Sequence, residues 1–317
     1  MSGSDNPNDP DRDWSSTADA VALGDPGDSF GPVPGPTRIP RWFSLAGPPE
    51  ERPSIRATCR RVTTPLVVDG RLDDAAWASA EWSDPFVTIE TGGATPLESR
   101  IALLWDDDHL YAGYAFEDPD PQSISREWHS WVFLTDPDAE LFVAGPEAYV
   151  ECGINPLGTV YESRWEWLEP LIERRDHAAI ERLFKVPNGL YYTARPGERS
   201  GRLADLDWEV AGARYAATTG PVRLPGREPV MGWSAEFALP WSGLASILGS
   251  DRAPAPGSSL KVQAYRAHHD RSDPERTAAM AALWGPGASP FVGWTWAPQG
   301  NANVHNPECW VELTLVD

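Results

Sequence analysis

A chain of 317 residues with 47 acidic against 26 basic side chains carries a net charge of −21. So acidic a surface repels nucleic-acid phosphates and anionic membranes, which leaves neutral or cationic partners. Three cysteines without a CxxC pair make neither a disulfide framework nor a cysteine zinc site, and no apolar stretch approaches the roughly 18 residues that cross a bilayer.

Sixteen tryptophans and 32 prolines are the compositional excesses. Tryptophan offers flat platforms for the apolar faces of sugars, and it equally fills the core of a β-sandwich. Composition alone leaves both uses open.

Residues 1 to 53 are Pro- and Gly-rich without a sustained period. Such a segment cannot bury enough apolar surface to offset its ordering entropy, so a disordered extension is predicted there. The opening "MSGSDNPNDPDRDW" is polar and acidic, with no basic-then-apolar leader, and a cytoplasmic location is the expectation. Residues 54 to 317 are expected to form one domain.

In that domain "SIRATCRRV" reads as a strand. "TPLVVDGRLDDAAW" gives an Asp-Gly turn and a short helix with Asp73 as its cap and Trp77 inward. "LLWDDDHLYAGYAFEDPDP" holds two period-two runs separated by "DDDH", a hairpin whose tip aspartates serve the turn. Further strands are predicted in "VFLTDPDAELFVAG", "EAYVECGINPLGTVYES", "LDWEVAGARYA", "MGWSAEFALPW", "LKVQAYRAH" and "CWVELTLV". One amphipathic helix is predicted in "LEPLIERRDHAAIERLF", with Leu168, Leu171, Ile172, Ala179, Ile180, Leu183 and Phe184 on one face. Many short strands and one strong helix make the fold class all-β, an antiparallel β-sandwich with one inserted helix.

The strand "AYVECGINPLG" points Val150, Cys152 and Ile154 one way and Glu151, Gly153 and Asn155 the other. In "DAELFV", Glu140 and Phe142 share a face, so pairing of the two strands brings Glu140 near Asn155. The loop "GWTWAPQGNANVHNPECW" gathers Trp294, Trp296, Asn301, Asn303 and His305. Carboxylate, amides and aromatic rings together suit a neutral polyol, since amides both donate and accept and a carboxylate accepts two hydroxyls. The candidate ligand-binding residues are therefore Glu140, Asn155, Trp294, Trp296, Asn301 and His305. His268 and His269 are adjacent on a strand and face opposite sides, which disfavours a shared metal. No cofactor is expected.

Six segments stand in the order found in family 9 carbohydrate-binding modules: "VVDGRLDDAAW", "LLWDDDHLYAGYAFEDPDP", "VFLTDPDAELFV", "YVECGINPLGTV", "GWSAEFALPWSGL" and "VHNPECWVELTL". The chain resembles that family over about residues 62 to 315. The resemblance implies a DOMON-like β-sandwich that holds a sugar end between two tryptophans, with polar contacts from Glu, Asn and Arg. By position, Glu140, Asn155 and Asn301 match polar contacts. The family's Arg falls on Gly153, and its two aromatics fall near Leu134 and Val304. The implied function is non-catalytic binding of a neutral mono- or oligosaccharide beside a partner glycoside hydrolase. Two alternatives stay open: glycoside hydrolysis through Glu140 or a neighbour, and a scaffold that has lost its ligand.

Overall fold

The computed structural model describes residues 55–186, 201–300 and 302–317, together with the backbone of strands at 37–38 and 189–192. Most of the predicted extension, residues 1 to 53, therefore lies outside the described residues.

The chain opens with β1 (Thr37–Arg38) and β2 (Arg56–Arg61), then β3 (Val87–Thr88) and the hairpin of β4 (Ser99–Trp105) and β5 (His109–Glu117). A meander follows, made of β6 (Ala139–Ala144), β7 (Ala148–Ile154) and β8 (Val160–Trp167). Next come β9 (Gly189–Tyr192), β10 (Arg202–Asp205) and a second hairpin of β11 (Arg214–Val222) and β12 (Val230–Pro240). The last strands are β13 (Ser259–His269), β14 (Phe291–Thr295) and β15 (Val311–Val316).

These strands pair in the order β1-β9-β10-β8-β7-β6-β13-β15-β2-β4-β5-β12-β11, with β14 and β3 branching from β13. Pairing is antiparallel except at β1–β9, β15–β2 and β2–β4. Residues of β4, β5 and β12 share one core with residues of β6, β7 and β13. Ile101, Leu103, Trp105, Tyr114, Phe116, Trp233 and Phe237 meet Leu141, Val143, Val150, Cys152 and Ile154 there. Burial of one such Leu or Phe contributes about 1.5–3 kcal/mol. This is the β-sandwich expected from the alternating runs. Among the described residues, Trp105, Trp165, Trp167, Trp233, Trp241, Trp294 and Trp310 are all fully buried, so much of the tryptophan excess is packing material.

The outer face of β6, β7, β8 and β13 is covered too. Phe142, Tyr149, Trp165, Trp167 and Tyr265 form a second apolar layer with Val304 and Trp310, edged by Trp131 and Phe133.

The 69–70 turn is tied down by a carboxylate: Glu236 on β12 accepts the amides of Asp69 (2.9 Å) and Gly70 (2.7 Å) and the Trp77 indole N–H (2.7 Å). Gly70 has φ of 83°, and a Cβ there would meet the backbone of Ala217 at 2.7 Å, so only glycine fits. The helix that follows, α1 (Ala75–Ser79), starts one residue later than expected. Asp74, not Asp73, is its N-cap residue, and the Asp74 carboxylate accepts from Val67 N at 2.9 Å instead of capping.

Several predicted boundaries shift for local reasons. "VFLTDPDAELFVAG" splits into α2 (Val132–Thr135) and β6, because Pro137 follows Asp136 and cannot donate to a ladder. "LDWEVAGARYA" is not one strand: the 206–213 segment turns between β10 and β11, with Gly212 at φ 78°. The amphipathic segment forms two pieces, α3 (Leu168–Glu173) and α4 (His177–Phe184). Arg175 takes φ of 55° between them, and Asp176 caps α4 by accepting from Ala179 N at 3.0 Å. Leu168, Leu171, Ala179, Ile180 and Leu183 pack together as expected, while the break turns Ile172 out to 50 % exposure.

After α5 (Ala245–Leu248), a further helix, α6 (Pro274–Trp284), carries a legible start signal: Asp273 accepts from the amides of Glu275 and Arg276, with Pro274 in the first turn. It buries none of its residues, so no apolar stripe marked it. No helix among the described residues is long and apolar enough to cross a membrane.

Candidate functional site

Strand alternation carries the inner-core residues of β7 to one side and Tyr149, Glu151 and Gly153 to the other. Register then sets Glu140 opposite both Gly153 and Tyr265, and Tyr161 opposite Gly153 on the far side. The outcome is a polar patch within the second apolar layer.

Glu151 is its centre. One oxygen accepts from the Tyr161 hydroxyl (3.0 Å); the other accepts from Ser163 Oγ (3.1 Å) and the Trp165 indole N–H (2.9 Å). His305 Nε2 stands 4.0 Å from the same oxygen. Its Nδ1 is 2.9 Å from the Tyr149 hydroxyl, and its ring lies 4.4 Å from that of Trp165. Tyr149 and Trp165 stack at 5.7 Å with planes 4° apart. Asp138 adds a third carboxyl, accepting from Ala267 N at 3.0 Å.

Burial dominates the electrostatics. It pushes Glu140 well above the usual carboxylate range, and the neighbouring Asp138 and Glu151 push it further. Asp138 is raised well above its range for the same first reason, with the Ala267 amide opposing. Glu151 is raised less, because burial is opposed by Tyr161, Trp165 and Ser163. Burial, with Arg202 nearby, drives His305 well below its ordinary value, so it is neutral. Like charges in one water-poor patch cannot all ionise, and a protonated carboxyl both donates and accepts. The patch thus offers neutral donors and acceptors framed by ring faces. Among the described residues no three His, Cys, Asp or Glu side chains come together as a metal ion needs.

The sequence-predicted residues divide among three places. Glu140 and His305 belong to the patch. Asn155 lies beside it, yet all four of its hydrogen-bonding positions are taken within the protein. Its Nδ2 donates to Ser125 O (2.9 Å) and Asp136 Oδ2 (2.8 Å), and its Oδ1 accepts from Leu157 N and Thr159 N. Asn155 therefore holds the β7–β8 turn, the geometry that an Asx side chain favours. Trp294 pairs with Arg266, so it faces the inner core with Trp296 packed nearby, on the side of β13 away from Glu140. Asn301 lies outside the described residues.

Tyr161, Ser163, Trp165 and Tyr149 were missed as site residues. For Tyr161, Ser163 and Trp165 the signal was present in "VYESRWEW", where an aromatic or hydroxyl side chain recurs at every second position; Tyr149 shares its face of "AYVECGI" with Glu151. Val304, where the resemblance places an aromatic, is buried in the outer layer, and Leu134 is 7 % exposed.

No family model matches the chain, and no curated protein matches it. Solved structures do. A candidate carbohydrate-binding protein from Bacteroides uniformis ATCC 8492 superposes with a TM-score of 0.52 at 13 % identity, covering 83 % of this chain and 100 % of that one. The likeness is one of fold. A family 9 carbohydrate-binding module from Caldicellulosiruptor kristjanssonii, solved with cellotriose, gives a TM-score of 0.45 at 13 % identity over 82 % of this chain and 93 % of that one. The same organism's module solved with glucose gives 0.44 at 14 % over 81 % and 95 %.

Proposed function

We propose that this chain binds a neutral mono- or oligosaccharide on the outer face of β6, β7 and β8. It does no chemistry on the sugar and serves glycoside hydrolysis by a partner enzyme. The observation that carries this reading is the meeting of Glu140, Glu151, Tyr161, Trp165 and His305 in one patch. Carboxyl, hydroxyl, indole and imidazole groups there sit among aromatic rings, the mixture that sugar hydroxyls and C–H faces require. The fold neighbour at TM-score 0.52 is described as a candidate carbohydrate-binding protein, which agrees with it.

Glu140 is 3 % exposed and Glu151 6 %. Binding therefore needs the cover that carries Val304 and His305 to lift. Opening exchanges contacts within the protein for contacts with sugar, so affinity is weak, on the order of millimolar.

The raised carboxyls favour one rival, a hydrolase with Glu140 or Asp138 as general acid. A glycan array run beside hydrolysis assays on the same glycans separates the readings. Binding without turnover is expected. Turnover would make the chain an enzyme, and silence on every glycan would make it a scaffold.

A further inference from the structure

Beside the buried patch, across Pro137 and the end of β13, lies an open cavity of about 540 Å3. That volume falls within the range of small-molecule sites, roughly 300–1,000 Å3.

A buried ion pair underlies it. Arg266 is fully buried between the rings of Phe116 (5.0 Å) and Trp294 (4.9 Å), and its Nη2 donates to Asp118 at 2.6 Å. The same Nη2 lies 3.3 Å from His268 Nδ1. A guanidinium only donates, so Nδ1 is the acceptor and the ring proton sits on Nε2. His268 stacks on Trp294 at 4.3 Å, which fixes the ring, and lines the cavity. Its Nε2–H is a donor of set orientation with no protein acceptor among the described residues.

Acceptors stand nearby. Gln122 donates its amide to Asp120 at 2.7 Å, which leaves the Gln122 carbonyl oxygen and the second Asp120 oxygen open. Leu97 and Pro137 supply apolar wall. Asp118 is paired with Arg266 beneath the cavity and Arg271 lies 3.8 Å from Asp136, so Asp120 leaves the lining with one net negative charge. His269, also in the lining, is already engaged with Ser289 Oγ (2.6 Å) and Phe133 O (2.9 Å).

We infer that this cavity is a second ligand site, separate from the outer-face patch, which takes a small neutral polyhydroxylated molecule through His268, Gln122 and Asp120. The acidic lining disfavours an anion. A donor beside acceptors suits hydroxyls, which do both, and the apolar wall suits their C–H backbone.

The experiment is a titration of the full chain with D-glucose and with myo-inositol, followed by the indole N–H resonances. Trp294, beneath His268, reports on the cavity; Trp165, bonded to Glu151, reports on the patch. Single Trp→Phe variants assign the two signals. A saturable shift at Trp294 is expected. Gln122→Ala, at an exposed position, and His268→Phe, which keeps a ring on Trp294, should each weaken it about 2- to 10-fold, the worth of one hydrogen bond. Silence at Trp294, or a shift that both variants leave unchanged, overturns the inference. Movement of Trp165 alone sinks this site and keeps the outer-face reading. Movement of Trp294 alone, weakened by both variants, does the reverse.

Discussion

Tyr161 stands over Gly153. The two are register partners on β8 and β7, and the ring occupies the space that a Cβ on Gly153 would need. This is the position at which the family resemblance places an arginine. The Tyr161 ring thus fills what would be a cation's place, and its hydroxyl bonds Glu151 instead.

Gly153→Ala should therefore cost about 1–3 kcal/mol through overpacking. Adding Tyr161→Ala should remove most of that cost, because the clash has one source. Urea unfolding of the four proteins gives the coupling directly. A Gly153→Ala variant as stable as wild type would mean that the ring is free to move aside.

The aspartates of the β4–β5 turn should behave unequally. Asp106 accepts from the amides of Asp108 (2.8 Å) and His109 (2.7 Å) and from the Tyr111 hydroxyl (2.7 Å). Asp107 only pairs with Arg61 at the surface. Asp106→Asn should cost about 1–2 kcal/mol, since it weakens charge-assisted bonds, while Asp107→Asn and Asp108→Asn should stay within about 0.5 kcal/mol. Calcium and magnesium should leave the melting temperature unchanged. A metal-dependent rise that the Asp106 variant abolishes would make the turn a cation site.

Much of this fold was readable because alternation is a local signal. Ile101, Leu103 and Trp105 fall into the core as their spacing indicates, and so do Val150, Cys152 and Ile154. Helix phase was less readable: the stripe through Leu168 and Leu183 spans a break that Asp176 makes by capping. The site was half readable. Glu140 and His305 reach the patch, but Trp294 does not. The side to which a loop tryptophan turns depends on β14 pairing with β13, and that pairing is set by the tertiary fold, not by spacing. Asn155 looked free because turn hydrogen bonds cannot be seen in a strand pattern.

The carboxyl patch gives a pH signature. A carboxyl whose folded pKa is raised keeps a proton that the unfolded chain has released above about pH 4. Stability then falls as pH rises from the unfolded value towards the folded one. The histidines act in the opposite sense. Burial lowers His268 to about 4 and His269 to about 3, so they cost stability as pH falls below the ordinary histidine value of about 6.5. Above that pH the patch acts without them. Urea midpoints of wild type should decline from pH 6.5 upward, and Glu140→Gln, which cannot ionise, should flatten the decline and raise the midpoint at pH 8. Parallel curves for the two proteins would show that Glu140 is already ionised there.

The central claim is that the outer-face patch binds sugar. Titration calorimetry of the wild type and of Glu151→Gln, with any glycan that the array identifies, tests it most directly. Glu151 holds Tyr161, Ser163 and Trp165 in place, so the amide should weaken binding about tenfold, the worth of one hydrogen bond, while circular dichroism shows the fold kept. Equal affinity in the two folded proteins would contradict the account.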